Sequence, residues 1–178
     1  EHVQRGIPPA GNPMLNPFRA SFRQQFLLGF LACAGLIAYA LYSQHVLGYE
    51  PCPLCIFQRV AVIALGLVFL AGGLLAPRTP RGRATWGVLA LLPALAGVGI
   101  AGRHVWMQNL PPGEVPACGP PLEFLRETLP LMDVVKKVLT GSGQCAEIDW
   151  TLLGLSMPAW VLIAFVVLGL WAAFAAFR

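Results

Sequence analysis

Four apolar blocks, at 26–46, 56–76, 85–105 and 157–177, constrain this chain more than any other feature. Each is about 20 residues long, the length an α-helix needs to cross a hydrocarbon core of about 30 Å. Inside such a core every backbone N–H and C=O must find its partner within the protein, which selects helices. A single block of this kind also fits a buried soluble helix. Four of them in 178 residues, with only 11% of residues charged, do not, since a soluble domain carries about a quarter. The first block is too long for a signal-peptide core, and no A-x-A-like cleavage site follows it, so it reads as an anchor that stays. Residues 1–13 precede Met14 and read as an unstructured leader, appended or native.

Charge orients the blocks. Lys and Arg collect on the cytoplasmic side of a membrane protein. Arg19 and Arg23 precede the first block, Arg78, Arg81 and Arg83 fall between the second and third, and Arg178 ends the chain. Apart from Glu1, every acidic residue lies between 50 and 149, in the two opposite loops. The expected layout is a cytoplasmic segment 1–25, then a transmembrane domain 26–178. Its periplasmic loops run at about 47–55 and 106–156, and its cytoplasmic loop at 77–83. The short 77–83 link makes the second and third spans antiparallel neighbours in an all-α, four-helix transmembrane bundle. Gly29, Gly35, Gly66, Gly72, Gly97 and Gly99 are candidates for close helix approach. The net charge of +4 therefore reports topology. The basic residues form no continuous patch with interleaved aromatics, which argues against nucleic acid as a partner.

Cysteines fall unevenly on this frame. Cys52 and Cys55 open the second span, and Cys118 and Cys145 sit in the long outer loop. All four face the side where disulfides persist. Cys33 lies inside the first span, about 20 Å from its outer end, and reads as small apolar filler. Four outer cysteines allow three pairings. A Cys118–Cys145 bond would close a loop of about 27 residues and restrain it by a few kcal/mol. A Cys52–Cys55 bond has little entropy to remove. The Cys-x-x-Cys spacing instead suits a bond that opens and closes, because helix N-terminal amides and the macrodipole stabilise a thiolate. Zinc is the other reading, weakened because Cys118 and Cys145 are far apart and no His lies beside either in sequence.

Arg59 follows Cys55 by one helical turn, on the same face and about 6 Å deeper. It either snorkels to the interface or, as an ionisable residue at that depth, serves function, stabilising a thiolate and an acceptor's oxyanion. Gln44, His45, Arg103 and His104 fall at a similar depth. His45 and Arg103 read as interface residues with solvated heads, and His104 as a possible hydrogen-bond donor to a bound carbonyl. Electrons leaving a dithiol here need an acceptor. A membrane quinone takes two electrons and two protons, matching one dithiol. Between the outer cysteines, Leu122, Leu125, Leu129, Met132, Val135 and Leu139 recur at helical spacing, with Pro130 interrupting. This is a short amphipathic helix lying on the membrane surface or packed on the bundle.

The motifs PCPLCIFQR (51–59), SQHVL (43–47), RHVWMQ (103–108), GQCAE (143–147) and LLGLSMPAW (152–160) occur in order. Together they resemble the bacterial disulfide bond formation protein B (DsbB) family, over about residues 14–178. The resemblance implies a quinone-dependent thiol oxidase of the inner membrane. It implies that a periplasmic thioredoxin-fold dithiol protein, DsbA, is re-oxidised by Cys118–Cys145, with Cys118 forming the mixed disulfide. Electrons then pass to Cys52–Cys55 and from Cys55 to ubiquinone or menaquinone. Arg59 would hold the quinone, with Gln44, His104 and Met157 as further contacts, and no metal is implied. Gln58 stands where an acidic residue can occur in the family, and Cys33 is additional; neither is expected to touch the chemistry. Other readings are a vitamin K epoxide reductase-like protein, disfavoured because its Cys-x-x-Cys is expected late in the chain, a structural or transport protein with stapling disulfides, and a metal-binding protein.

Overall fold

The computed structural model describes residues 21–111, 113–114, 122–141, 143–148 and 150–178. Cys118 lies outside them. Four helices are long and apolar enough to cross a membrane: α1 (Phe22–His45), α2 (Pro53–Leu75), α3 (Pro80–Gln108) and α6 (Met157–Phe177). The chain is thus an all-α, four-helix membrane protein. Two short helices, α4 (Leu122–Thr128) and α5 (Leu131–Thr140), and a 3-10 turn at Gly143–Cys145 sit between α3 and α6.

The helices run past the apolar blocks because local capping decides where they start. Ser21 and Gln24 form a capping box, so α1 begins at Phe22 and takes in polar Arg23, Gln24 and Gln25 rather than starting at Phe26. Thr79 caps α3 through Gly82 N–H, with Pro80 in the first turn. The link expected at 77–83 is therefore shorter, since α3 already contains Pro80–Arg83. Ala76, at φ 39°, ends α2 in the left-handed region.

One core runs through the bundle, built from Phe26, Leu65, Phe69, Phe165 and alanines of α3 and α6. Helix α3 packs most broadly on α6 and α1 on α2, whereas α1 and α6 touch much less. Glycine permits the close crossings: a Cβ at Gly72 would collide with Phe26, and one at Gly97 with Phe165. Gly35 and Gly99 were expected to do the same, but nothing lies near them. Trp171 Nε1 donates to Gln25 O at 2.9 Å, tying α6 to α1 away from the cysteines.

A second cluster caps the cysteine end. It joins Leu54, Met107, Leu125, Val134, Val138 and Cys145. The expected amphipathic stripe is corrected here. Pro130 splits the segment into α4 and α5, which resets the helical phase. Leu125, Val134 and Val138 face the protein, while Met132 and Leu139 are exposed. A two-residue hairpin that hydropathy did not signal, Thr151–Leu152 with Leu155–Ser156, precedes α6. Its turn residues Leu153 and Gly154 both take positive φ, the geometry such tight hairpins need.

Candidate functional site

The site begins at the N-cap of a helix. Cys52 is the N-cap of α2, and its Sγ accepts from Cys55 N–H at 3.4 Å. Pro53 follows, where its missing N–H costs nothing. The cap turns the two side chains together, so Cys52 S–H donates to Cys55 Sγ over 3.1 Å. That separation is a thiol–thiol contact, well beyond a covalent S–S length.

Helix α3 then delivers His104 to Cys52. His104 is 2% exposed. Its Nε2 lies 3.7 Å from Cys52 Sγ, and its Nδ1 lies 3.0 Å from Gln58 Nε2. Gln58 is itself 4% exposed. With the amide donating to Nδ1, the ring proton sits on Nε2 and faces the sulfur. Turning the amide over, so that Oε1 accepts from Nδ1–H, bares Nε2 as a proton acceptor. The orientation of the Gln58 amide and the tautomer of His104 are therefore coupled. Sequence reading placed Gln58 outside the chemistry; the structure places it, buried, against His104. The signal was present in Gln58 following Leu54 by one turn into an apolar helix, with no solvent to satisfy it.

The long loop brings back the third cysteine. Cys145 is fully buried in its 3-10 turn. Its Sγ, Cys52 Sγ and a His104 ring nitrogen all lie within 4.8 Å of one another. So Cys145 does have a histidine beside it, one that no sequence neighbour announced.

Arg59 sits one turn below Cys55. Its guanidinium donates to Gln44 Oε1 and to Ala40 O, the latter at 3.1 Å. Both partners belong to α1, so the arginine bridges α1 and α2 instead of reaching out to water. Gln44 thereby acts on Arg59. Arg103, expected to have a solvated head, donates to Leu139 O and Thr140 O at 3.2 and 3.1 Å in exposed hydrogen bonds. It also stacks on Trp106 with 4.1 Å to the ring centre. It closes the C-terminus of α5, where orphan carbonyls need donors. Cys33 is buried between α1 and α2 against Gly66, as filler would be.

A cavity of about 410 Å³ opens where α1 and α6 separate. Cys52, Cys55, Arg59, His104 and Met157 all border it. It continues to Val62 on α2 and Val167 on α6, about 15 Å beyond the helix starts. Its deeper walls are aliphatic, including Leu36, Ile37 and Val161. The volume falls in the range of small-molecule sites.

Residues 22–175 match the family model of the disulfide bond formation protein DsbB. Curated proteins named disulfide bond formation protein B are similar over most of their length. That of Xanthomonas euvesicatoria pv. vesicatoria is 58% identical over 164 residues, covering 92% of this chain and 95% of that protein. That of Methylococcus capsulatus is 55% identical over 149 residues, covering 84% and 90%. That of Xylella fastidiosa is 50% identical over 156 residues, covering 88% and 90%.

Proposed function

The chain belongs to the disulfide bond formation protein DsbB family, and on that premise we propose that it is a quinone-dependent thiol oxidase of the bacterial inner membrane. It takes electrons from a periplasmic thioredoxin-fold dithiol protein of the DsbA kind. Both chain termini then face the cytoplasm and the cysteine end faces the periplasm, as the arginine distribution favours. The observation that carries the reading is the continuity from Cys145 through Cys52 and Cys55 to a membrane-depth cavity edged by Arg59.

The exchange steps balance as follows. A partner thiolate attacks the Cys118–Cys145 disulfide at Cys118 Sγ and expels Cys145 as thiolate. The partner's second thiolate resolves the mixed disulfide, leaving an oxidised partner and a reduced Cys118/Cys145 pair. Cys145 thiolate then attacks Cys52 Sγ of the Cys52–Cys55 disulfide and expels Cys55. Cys118 resolves at Cys145, freeing Cys52. Each exchange conserves electrons, so the pair Cys52/Cys55 ends two electrons and two protons richer. The contact of Cys145 with Cys52 supports that order of attack.

A quinone supplies, when bound, the acceptor for those two electrons and two protons. The cavity fits such a group: aliphatic walls for an isoprenoid tail, and polar atoms at one end for a carbonyl. Arg59 is the residue to hold that end, kept in place by Gln44 and Ala40. Met157, at the start of α6, narrows the opposite wall. His104 moves a proton at Cys52 Sγ, its tautomer coupled to the Gln58 amide. The absorbance of a soluble ubiquinone analogue, mixed with reduced partner and detergent-purified protein, tests this. It should fall with the unaltered chain and hold steady with Cys55→Ser. A steady signal with the unaltered chain and a competent partner overturns the proposal.

A further inference from the structure

Cys52, Cys145 and His104 form a cluster whose geometry, besides serving exchange, suits a metal ion. Two sulfurs and a ring nitrogen lie within 4.8 Å of one another, and it is the one His/Cys/Asp/Glu group of this kind among the described residues. Tetrahedral zinc bonded to sulfur at about 2.3 Å and nitrogen at about 2.0 Å spaces its ligands by under 4 Å. The His104 Nε2 to Cys52 Sγ distance is already 3.7 Å. Cys55 Sγ lies 3.1 Å from Cys52 Sγ but outside the mutual 4.8 Å group, so the protein supplies three ligands and leaves the fourth position open. The imidazole has the outer partner that zinc-bound histidines use: Gln58, turned to accept from Nδ1–H, fixes the ring with Nε2 toward the sulfurs. Leu54, Met107, Val134 and Val138 pack around Cys145 and give the cluster one apolar side.

We infer that the reduced protein binds one Zn2+ through Cys52 Sγ, Cys145 Sγ and His104 Nε2, and that the bound ion arrests the thiol relay. Binding replaces thiol S–H bonds with Zn–S bonds and releases a proton from each coordinated thiol. No electrons move. The ion therefore competes with oxidation: it holds only the dithiol state, and disulfide formation at either cysteine expels it. The site rests on side-chain positions alone and stands whatever the electron acceptor.

The test uses detergent-purified full-length chain, reduced and freed of reductant without air. Zn2+ is titrated against a chromophoric chelator, and Co2+ is added separately to report sulfur–metal charge-transfer absorbance. One tight equivalent is expected in reduced protein and none in oxidised protein. Cys145→Ser and His104→Ala should each weaken binding at least tenfold, and Gln58→Leu by about 10- to 100-fold. Bound Zn2+ should also protect Cys145 from alkylation, a readout indifferent to turnover. Binding that survives both Cys145→Ser and His104→Ala would assign the ion to the Cys-x-x-Cys pair alone and overturn the inference. So would equal binding by oxidised protein, or none by reduced protein.

Discussion

Replacing Gln58 with Leu keeps side-chain bulk and removes the amide that hydrogen-bonds His104 Nδ1. Both residues are buried, at 4% and 2% exposure, and a Leu side chain offers Nδ1 no hydrogen bond in place of the amide. A buried polar group left unsatisfied costs about 1–3 kcal/mol. If the imidazole avoids that cost by turning away, the same free energy is the lost preference for facing Cys52. One to three kcal/mol corresponds to about a 5- to 150-fold fall in the rate at which Cys52 exchanges. The assay is stopped-flow reaction of reduced protein with a small disulfide, with cysteine modification assigned by mass. Gln58→Glu provides the contrast. A carboxylate there accepts from Nδ1–H and keeps Nε2 bare, so exchange at Cys52 should stay within a few-fold of the unaltered chain. Thermal unfolding in detergent is followed in parallel. If Gln58→Leu lowers stability yet leaves Cys52 exchange unchanged, His104 is a packing residue and the orienting argument fails.

Arg59→Ala should raise KM for a quinone analogue about 10- to 150-fold with kcat largely kept, because a charged hydrogen bond contributes about 1.5–3 kcal/mol. Equal KM values would remove Arg59 from the acceptor site. Gly97→Val should destabilise the bundle by about 1–3 kcal/mol, because its side chain overlaps Phe165, while Gly99→Ala, facing open space, should not. Detergent unfolding curves for the two variants decide it. Arg103→Ala removes both donors from the end of α5. Tryptic cleavage after Lys136 and Lys137 should then speed roughly tenfold through easier local opening, and an unchanged rate would dismiss the clamp.

Some of this protein is determined by its sequence alone. Four spans are legible because crossing a bilayer is a property of length and apolarity within one segment, needing no partner. The Cys52–Cys55–Arg59 alignment is legible for the same reason: helical spacing of three and four residues sets it before any helix meets another. What tertiary structure alone decided lies between helices. Gln58 and His104 are 46 positions apart, and Cys52 and His104 are 52 apart. Their meeting depends on the rotation of α2 against α3, set by which small residues let the backbones approach. Arg59 could have reached water or α1 with equal sequence logic, and the position of Gln44 and Ala40 on the facing helix chose α1. Cys145 was legible as a cysteine of the outer loop, but not as the neighbour of Cys52. That placement comes from α4 and α5 folding over the bundle's end after Pro130 resets their phase, burying Leu125, Val134 and Val138 with it. Local periodicity records which face of a helix is apolar; only packing says what that face meets.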